Sequence, residues 1–105
     1  MPGIYDALTD PTRRRILDLL REHERPVGDL VEALAVSQPT VSKHLRVLRD
    51  AGLVDVRVDA QRRLYRVRPD PLQAIDEWLA PYREMWSERL DDLERHLETM
   101  HEETT

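Results

Sequence analysis

The sequence predicts one mainly helical domain that contains a single small β-hairpin. Three observations support this prediction. Apolar residues recur every three or four positions in the first half of the chain, alternate with polar residues after Gly52, and return to helical spacing after Pro69. The chain has 105 residues, the size of one domain with one small core. The predicted order is four helices, two strands and two helices.

Three helices are predicted from the first third of the chain, and the first of them contains Ile4, Tyr5 and Leu8. Asp10 and Pro11 mark a helix start, because Asp caps a helix end and Pro suits the first helical position. Ile16 and Leu20 then lie one turn apart and give this helix an apolar face. A short helix follows over residues 28–35, where leucines and a valine recur at helical spacing.

The next helix is predicted over residues 38–51. Ser37 is its capping residue, and Pro39 lies in its first turn. Gly52 follows the last apolar position, where a glycine ends a helix by adopting a left-handed conformation. The helices over 28–35 and 38–51 are therefore joined by a turn of only a few residues.

A β-hairpin is predicted between Gly52 and Pro69, because the apolar period changes there to two. Valines at positions 54, 56 and 58 alternate with charged residues, and Tyr65 and Val67 alternate with their neighbours. The turn is predicted near residues 59–62, and since it contains no glycine its type stays open.

Two helices are predicted after the hairpin. Pro69 and Pro71 open the first, and Pro81 is expected to break or kink it. An amphipathic helix then runs almost to the end of the chain. Its apolar positions, together with those before Pro81, recur at steps of three and four and form a stripe, here called the apolar stripe: Leu72, Ile75, Leu79, Tyr82, Trp86, Leu90, Leu93, Leu97 and Met100.

Composition excludes several classes of protein. The chain has no cysteine, which rules out a disulfide scaffold, a thiol nucleophile and a thiolate metal site. No apolar run is long enough to span a membrane, and the N-terminus has neither the basic nor the apolar region of a secretory signal. We therefore expect a cytoplasmic protein with no membrane partner.

Charge is unevenly distributed along the chain. The net charge is −5, yet residues 1–68 carry 13 basic and 10 acidic side chains, whereas residues 69–105 carry 3 basic and 11 acidic ones. Residues 37–68 alone carry 8 basic and 3 acidic side chains. A basic middle segment of this kind can bind a polyanion although the whole chain is acidic.

The two helices over 28–35 and 38–51 are typical of a helix-turn-helix, and the hairpin after them of a wing. In the second helix Val41, Leu45 and Leu48 point to the core, so that its hydroxyl and cationic side chains face outward, where they suit the major groove of DNA. Arginines at the hairpin tip suit the phosphate backbone or the minor groove. The predicted contacts with double-stranded DNA are Gln38, Thr40, Ser42, Lys43, His44, Arg46, Arg62 and Arg63.

Residues 37–54, from Ser37 to Val54, closely resemble the ArsR/SmtB family of bacterial winged-helix repressors. The segment over 7–17 resembles the family's first helices, and the segment over 63–67 its second wing strand. The resemblance implies a homodimeric repressor that occupies an inverted-repeat operator overlapping a promoter, often its own. It also implies a DNA-binding part over 1–68 and a dimerisation part over 69–105 within one winged-helix domain.

The chain departs from the metal-sensing members of that family. Where those members carry cysteine, this chain has residues 25–30, which include none. Asp92 and His96 lie one turn apart and His101 follows, but their spacing does not reproduce the paired ligands of the family's other metal site; a weak site there stays open. The aromatic C-terminal segment resembles the metal-independent branch. We expect no metal and no cofactor, and the sequence does not identify a small-molecule inducer.

The apolar stripe is longer than the core of a small winged helix can cover. We therefore expect the stripe to pack against a second copy of the chain and form a dimer interface, to which the first helix also contributes. A ligand pocket at its aromatic residues is the less favoured interpretation. The alternative function is a protein-binding winged helix that docks a basic partner on its acidic C-terminal helix. We expect no enzyme, because Ser42, His44 and Asp50 are scattered around one helix. The predicted interface residues are Ile4, Tyr5, Leu8, Leu79, Tyr82, Trp86, Leu90, Leu93 and Leu97.

Overall fold

A computed structural model describes residues 3–103, with side chains described for residues 3–100. Those residues form five helices and one two-stranded antiparallel sheet. This confirms the mainly helical class with one hairpin after the helices. In chain order the elements are α1 (Ile4–Leu8), α2 (Pro11–Glu22), α3 (Val27–Leu34), α4 (Gln38–Asp50), β1 (Val54–Asp59), β2 (Arg62–Val67) and α5 (Pro69–Glu103).

Side-chain caps begin α2 and α4 where the sequence predicts them. The Asp10 carboxylate accepts hydrogen bonds from the backbone N–H groups of Thr12 at 2.8 Å and Arg13 at 3.1 Å. These bonds, that from Arg13 foremost, lower the pKa of Asp10 because they favour the ionised carboxylate. At the start of α4 the Ser37 hydroxyl accepts from the N–H of Thr40 at 3.3 Å.

Three residues in the turns have a left-handed backbone. Gly52 follows α4 with φ +77°, as the sequence predicts, and a glycine adopts this conformation without steric cost. Ala35, at the end of α3, has φ 56° and ψ 38°, and its N–H donates to the Val31 carbonyl at 2.9 Å. Ala60, in the two-residue turn of the hairpin, also has φ 56°. Both alanines bear the strain that glycine would avoid.

The chain divides into two compact units, Met1–Leu72 and Gln73–Thr105. The first unit holds the hydrophobic core, to which α1, α2, α3, α4 and β1 all contribute. The inward residues predicted for α4 are confirmed, because each is at most 1% exposed. The largest side chains that are fully buried are Ile16, Leu30, Val41, Leu45, Leu48 and Leu53.

The hairpin pairs β1 with β2 so that Val54 lies opposite Val67, Val56 opposite Tyr65, and Val58 opposite Arg63. Because side chains alternate along a strand, these three pairs share one face of the sheet. The backbone of Tyr65 also exchanges two hydrogen bonds with Arg25, at 2.8 and 3.1 Å, on the other edge of β2. The second strand is therefore held on both sides.

The sequence predicts two C-terminal helices separated at Pro81, and the structure corrects the number of helices. One continuous helix, α5, runs from Pro69 to Glu103 with Pro81 inside it. Pro81 lies three turns after the start of α5, and the helix continues through it, so the proline removes one backbone hydrogen bond without ending the helix.

The second unit consists of the long remainder of α5. Every side chain from residue 81 to residue 100 is exposed within this single chain. Among residues 3–103, none of the helices has the length and apolarity that crossing a membrane would need. A lone helix has no core of its own, so the apolar stripe on this one requires a separate explanation.

Candidate nucleic-acid interface

The outward face of α4 carries the predicted DNA-contact residues. Packing of three apolar side chains into the core fixes the rotation of the helix, and its polar side chains are left facing solvent. Ser37 Oγ lies 2.8 Å from Thr40 Oγ1, so the cap of the helix also orients the first hydroxyl of this face. Five of the predicted DNA-contact residues are exposed on α4: Gln38, Thr40, Ser42, Lys43 and Arg46.

His44 differs from the other predicted residues of α4, because it is half-buried. Its Nδ1 lies 3.4 Å from a terminal nitrogen of Arg13. Arg13 also donates to the carbonyls of Ala7 at 2.8 Å and Asp6 at 3.0 Å. This arginine therefore ties α1 and α2 to α4, a role that sequence reasoning missed.

The wing presents its two tip arginines on opposite faces of the sheet. Arg63 shares a face with Val58 and Tyr65, whereas Arg62 lies opposite Asp59 on the other face. Both arginines are exposed. Arg62 and Arg63 look equivalent in the sequence but lie on different faces of the hairpin. Of the two, only Arg63 is on the same face as Tyr65, which packs on the core.

Some arginines of the first unit outside the predicted contact set form ion pairs. Arg25 pairs with Glu22 at 2.7 Å, Arg57 with Glu24 at 2.6 Å, and Arg66 with Asp55 at 2.6 Å. The bond from Arg66 is the main cause of the lowered pKa of Asp55. Within residues 3–100, by contrast, no carboxylate lies within 4.0 Å of the cationic groups of Lys43, Arg46, Arg62 or Arg63.

A groove of about 480 Å³ lies between α4 and β2. We call it the α4–wing groove. Three arginines and one aspartate contribute its charges, and it combines residues of the predicted contact set with others that the set does not include. It is lined by Ser42, Leu45, Arg46, Arg49, Asp50, Arg63 and Tyr65. The described surface therefore brings α4 and the wing together around one positively charged depression.

The apolar stripe predicted for the dimer interface is exposed along most of α5. Trp86 is 64% exposed, Leu90 62% and Leu93 53%, which are large fractions for apolar side chains. The rings of Trp78 and Tyr82 stack with their centroids 5.1 Å apart, tilted by 41°. On α1, the predicted interface residues Ile4 and Leu8 are half-buried and Tyr5 is exposed.

Comparison with known proteins identifies this arrangement. A family model described as bacterial regulatory protein, arsR family, matches residues 10–56. The chain is also 34% identical over 79 residues to the transcriptional repressor SdpR of Bacillus subtilis. The alignment covers 75% of this chain and 88% of SdpR. The chain belongs to the ArsR family. The recognition of this family from the segment over 37–54 is confirmed.

Two further relatives support the same assignment. The arsenic resistance transcriptional regulator ArsR1 of Pseudomonas putida is 38% identical over 92 residues, covering 76% of this chain and 72% of ArsR1. The solved structure of an ArsR-like transcriptional regulator from Rhodococcus sp. RHA1 is 28% identical, with a TM-score of 0.73 over 91% of this chain and 88% of that one. This ArsR-family chain is therefore a DNA-binding transcriptional regulator and not an enzyme.

The candidate metal ligands of this ArsR-family chain lie on α5. Among the residues whose side chains are described, no group of three or more His, Asp or Glu is placed to hold a metal ion. Asp92 forms an ion pair with Arg95 at 2.6 Å instead. The side chain of His101 lies outside the described residues.

Proposed function

We propose that this ArsR-family chain is a homodimeric repressor that binds an inverted-repeat operator, with α4 in the major groove and the wing against the flanking backbone. The observation that carries the proposal is where the cations lie. Lys43 and Arg46 on the outward face of α4 and Arg63 on the wing are exposed, and none has a carboxylate within 4.0 Å among the described residues. Cations left without protein partners on one surface suit the phosphates and base edges of DNA.

Each side chain of the proposed interface has a role that follows from its chemistry. Amide, hydroxyl and cationic groups near the start of α4 suit base edges, and the lysine and arginine there suit guanine best. The imidazole of His44 and the wing arginines suit phosphate oxygens. The proposed contacts are Gln38, Thr40, Ser42, Lys43, His44, Arg46, Arg62 and Arg63.

The homodimer is supported by the apolar stripe of α5. Residues 73–103 form a helix about 45 Å long, which carries large apolar side chains along one side and no core. A two-fold partner would cover the stripe and would place two copies of α4 about one turn of DNA apart, roughly 34 Å, as an inverted repeat requires. The proposed interface also includes α1.

The operator can be found by selection. Purified protein is mixed with fragments of the genome that encodes it, and bound DNA is recovered, sequenced and footprinted. We expect one or a few fragments that share an inverted repeat, with the promoter of the protein's own gene as the first to inspect. Its target DNA also implies that the protein acts in the bacterial cytoplasm. Recovery of no sequence in preference to mixed DNA would contradict the proposal.

The alternative, a winged helix that docks a basic protein on its acidic helix, makes the opposite prediction. Such a module would show no preference for any duplex at physiological salt. The inducer of the repressor, where one exists, is a separate question that the selected operator makes accessible, because release of that duplex can then be screened.

A further inference from the structure

The α4–wing groove contains a cation that the predicted contact set omits. Arg49 lies in the last turn of α4 and lines the groove together with Arg46 and Arg63. All three side chains are exposed, and guanidinium groups present only hydrogen-bond donors. One carboxylate, that of Asp50, lies among them. Three positive charges against one negative charge leave this depression with an excess of positive charge.

Arg49 has two other conceivable roles, and neither accounts for its place in the groove. A cation in the last turn of a helix interacts favourably with the helix dipole, but this interaction is the same on every side of the helix and does not require the side that faces the groove. The charge of Arg49 contributes, after Arg66 and Arg68, to the lowered pKa of Asp55, yet that carboxylate is already bound by Arg66 at 2.6 Å and lies 4.0 Å from Arg68. Within the described residues, no carboxylate approaches Arg49 within that distance.

We propose that the α4–wing groove seats a backbone phosphate of the DNA strand that passes between α4 and the wing, and that Arg49 binds this phosphate directly. The inference rests on the proposed function and adds to it a contact site. Arginine suits phosphate because its planar fork of donors binds two oxygens at once. Here α4 supplies Arg49 from one side and β2 supplies Arg63 from the other, so the strand would be held between two elements that the core fixes.

Asp50 makes the proposal more specific. Its carboxylate lines the same groove, lies at the end of a helix where a negative charge is unfavourable, and forms no ion pair within the described part of the chain. A phosphate in the groove would be repelled by Asp50. A cytosine amine in the groove would instead be bound by Asp50, so the sign of the effect of removing this charge distinguishes backbone from base.

The test compares R49Q with R21Q. Arg21 is an exposed arginine in the last turn of α2, so its loss changes the net charge and a helix end in the same way. The probe is a short mixed-sequence DNA duplex, because binding to such DNA depends on phosphate contacts alone. The affinity of wild type and each variant is measured over a series of salt concentrations, and circular dichroism confirms that each is folded.

We expect the log–log salt slope of R49Q to be smaller than that of wild type by about 0.9, the value of one phosphate contact, which is about 3.5-fold in affinity over a fourfold change in salt. R21Q should keep the wild-type slope, and D50N should bind the duplex more tightly than wild type. Equal slopes for R49Q and R21Q, or a D50N affinity at or below that of wild type, would overturn the inference while leaving the proposed function intact. Failure of the wild-type protein to bind any duplex would overturn both.

Discussion

Dimerisation through α5 predicts a large effect for the double substitution L90E/L93E. Complete burial of a leucine side chain contributes about 1.5–3 kcal/mol. Leu90 and Leu93 are 62% and 53% exposed, so together they still expose slightly more than one whole leucine in each protomer. Covering both copies in a dimer would contribute roughly 3.5–7 kcal/mol, and burial of four carboxylates would oppose association further. The dimer dissociation constant should therefore rise by about 300-fold or more.

Sedimentation equilibrium measures that constant directly. R95E is a matched control, because it changes the net charge by the same two units and lies on the opposite side of α5 at 100° per residue. We expect wild type and R95E to be dimers at micromolar concentration and L90E/L93E to be a monomer of unchanged helical content. A monomeric wild type, or a double variant that dimerises as tightly as R95E, would refute the reasoning.

Three further predictions concern the first unit. A35G should raise the free energy of unfolding by about 0.5–1 kcal/mol because it relieves the left-handed backbone of Ala35. A33G, at a right-handed helical position in the last turn of α3, should lower it, and denaturant titration that gives both variants the same sign would contradict this. D10A should lower the free energy of unfolding by about 1 kcal/mol. Because the pKa of Asp10 is lower in the folded state, its stabilisation is complete above its unfolded pKa near 3.9 and is lost as pH falls through the folded value. D10N should therefore flatten the dependence of stability on pH in acid, and an unchanged dependence would argue against the cap. Replacing Arg62 and Arg63 with glutamine should lower the salt slope for a mixed-sequence duplex by about 1.8, and an undiminished slope would remove both from the DNA surface.

The helix boundaries could be predicted from the sequence where a residue marks them by its own chemistry. Asp10 and Ser37 cap helices as expected, and Gly52 ends α4 in the conformation that glycine favours. Pro81 misled because a proline inside a helix removes one backbone hydrogen bond, and α5 continues through that loss. The left-handed Ala35 carries no sequence signal at all, because alanine is ordinarily the best helix former.

The composition of the outward face of α4 could also be predicted, since it follows from which residues face the core. The contact between His44 and Arg13 could not, because the two are 31 residues apart and only tertiary packing brings them together. Nor could the α4–wing groove, which depends on how the hairpin is seated beside α4. Arg49 was therefore missed, although its neighbour Arg46 was identified on the basis of helical periodicity alone.

The central claim is that the outward face of α4 reads a specific DNA sequence, and K43A/R46A tests it most directly. The measurement is the affinity of the double variant for the duplex selected by the wild-type protein, beside that of R15A/R21A, which removes two exposed arginines from α2. Each base contact contributes about 1–3 kcal/mol, so K43A/R46A should bind the selected duplex about 30-fold more weakly or worse, and should lose most of its preference for that duplex over mixed DNA. R15A/R21A should keep that preference. Undiminished preference in a folded K43A/R46A would contradict the claim.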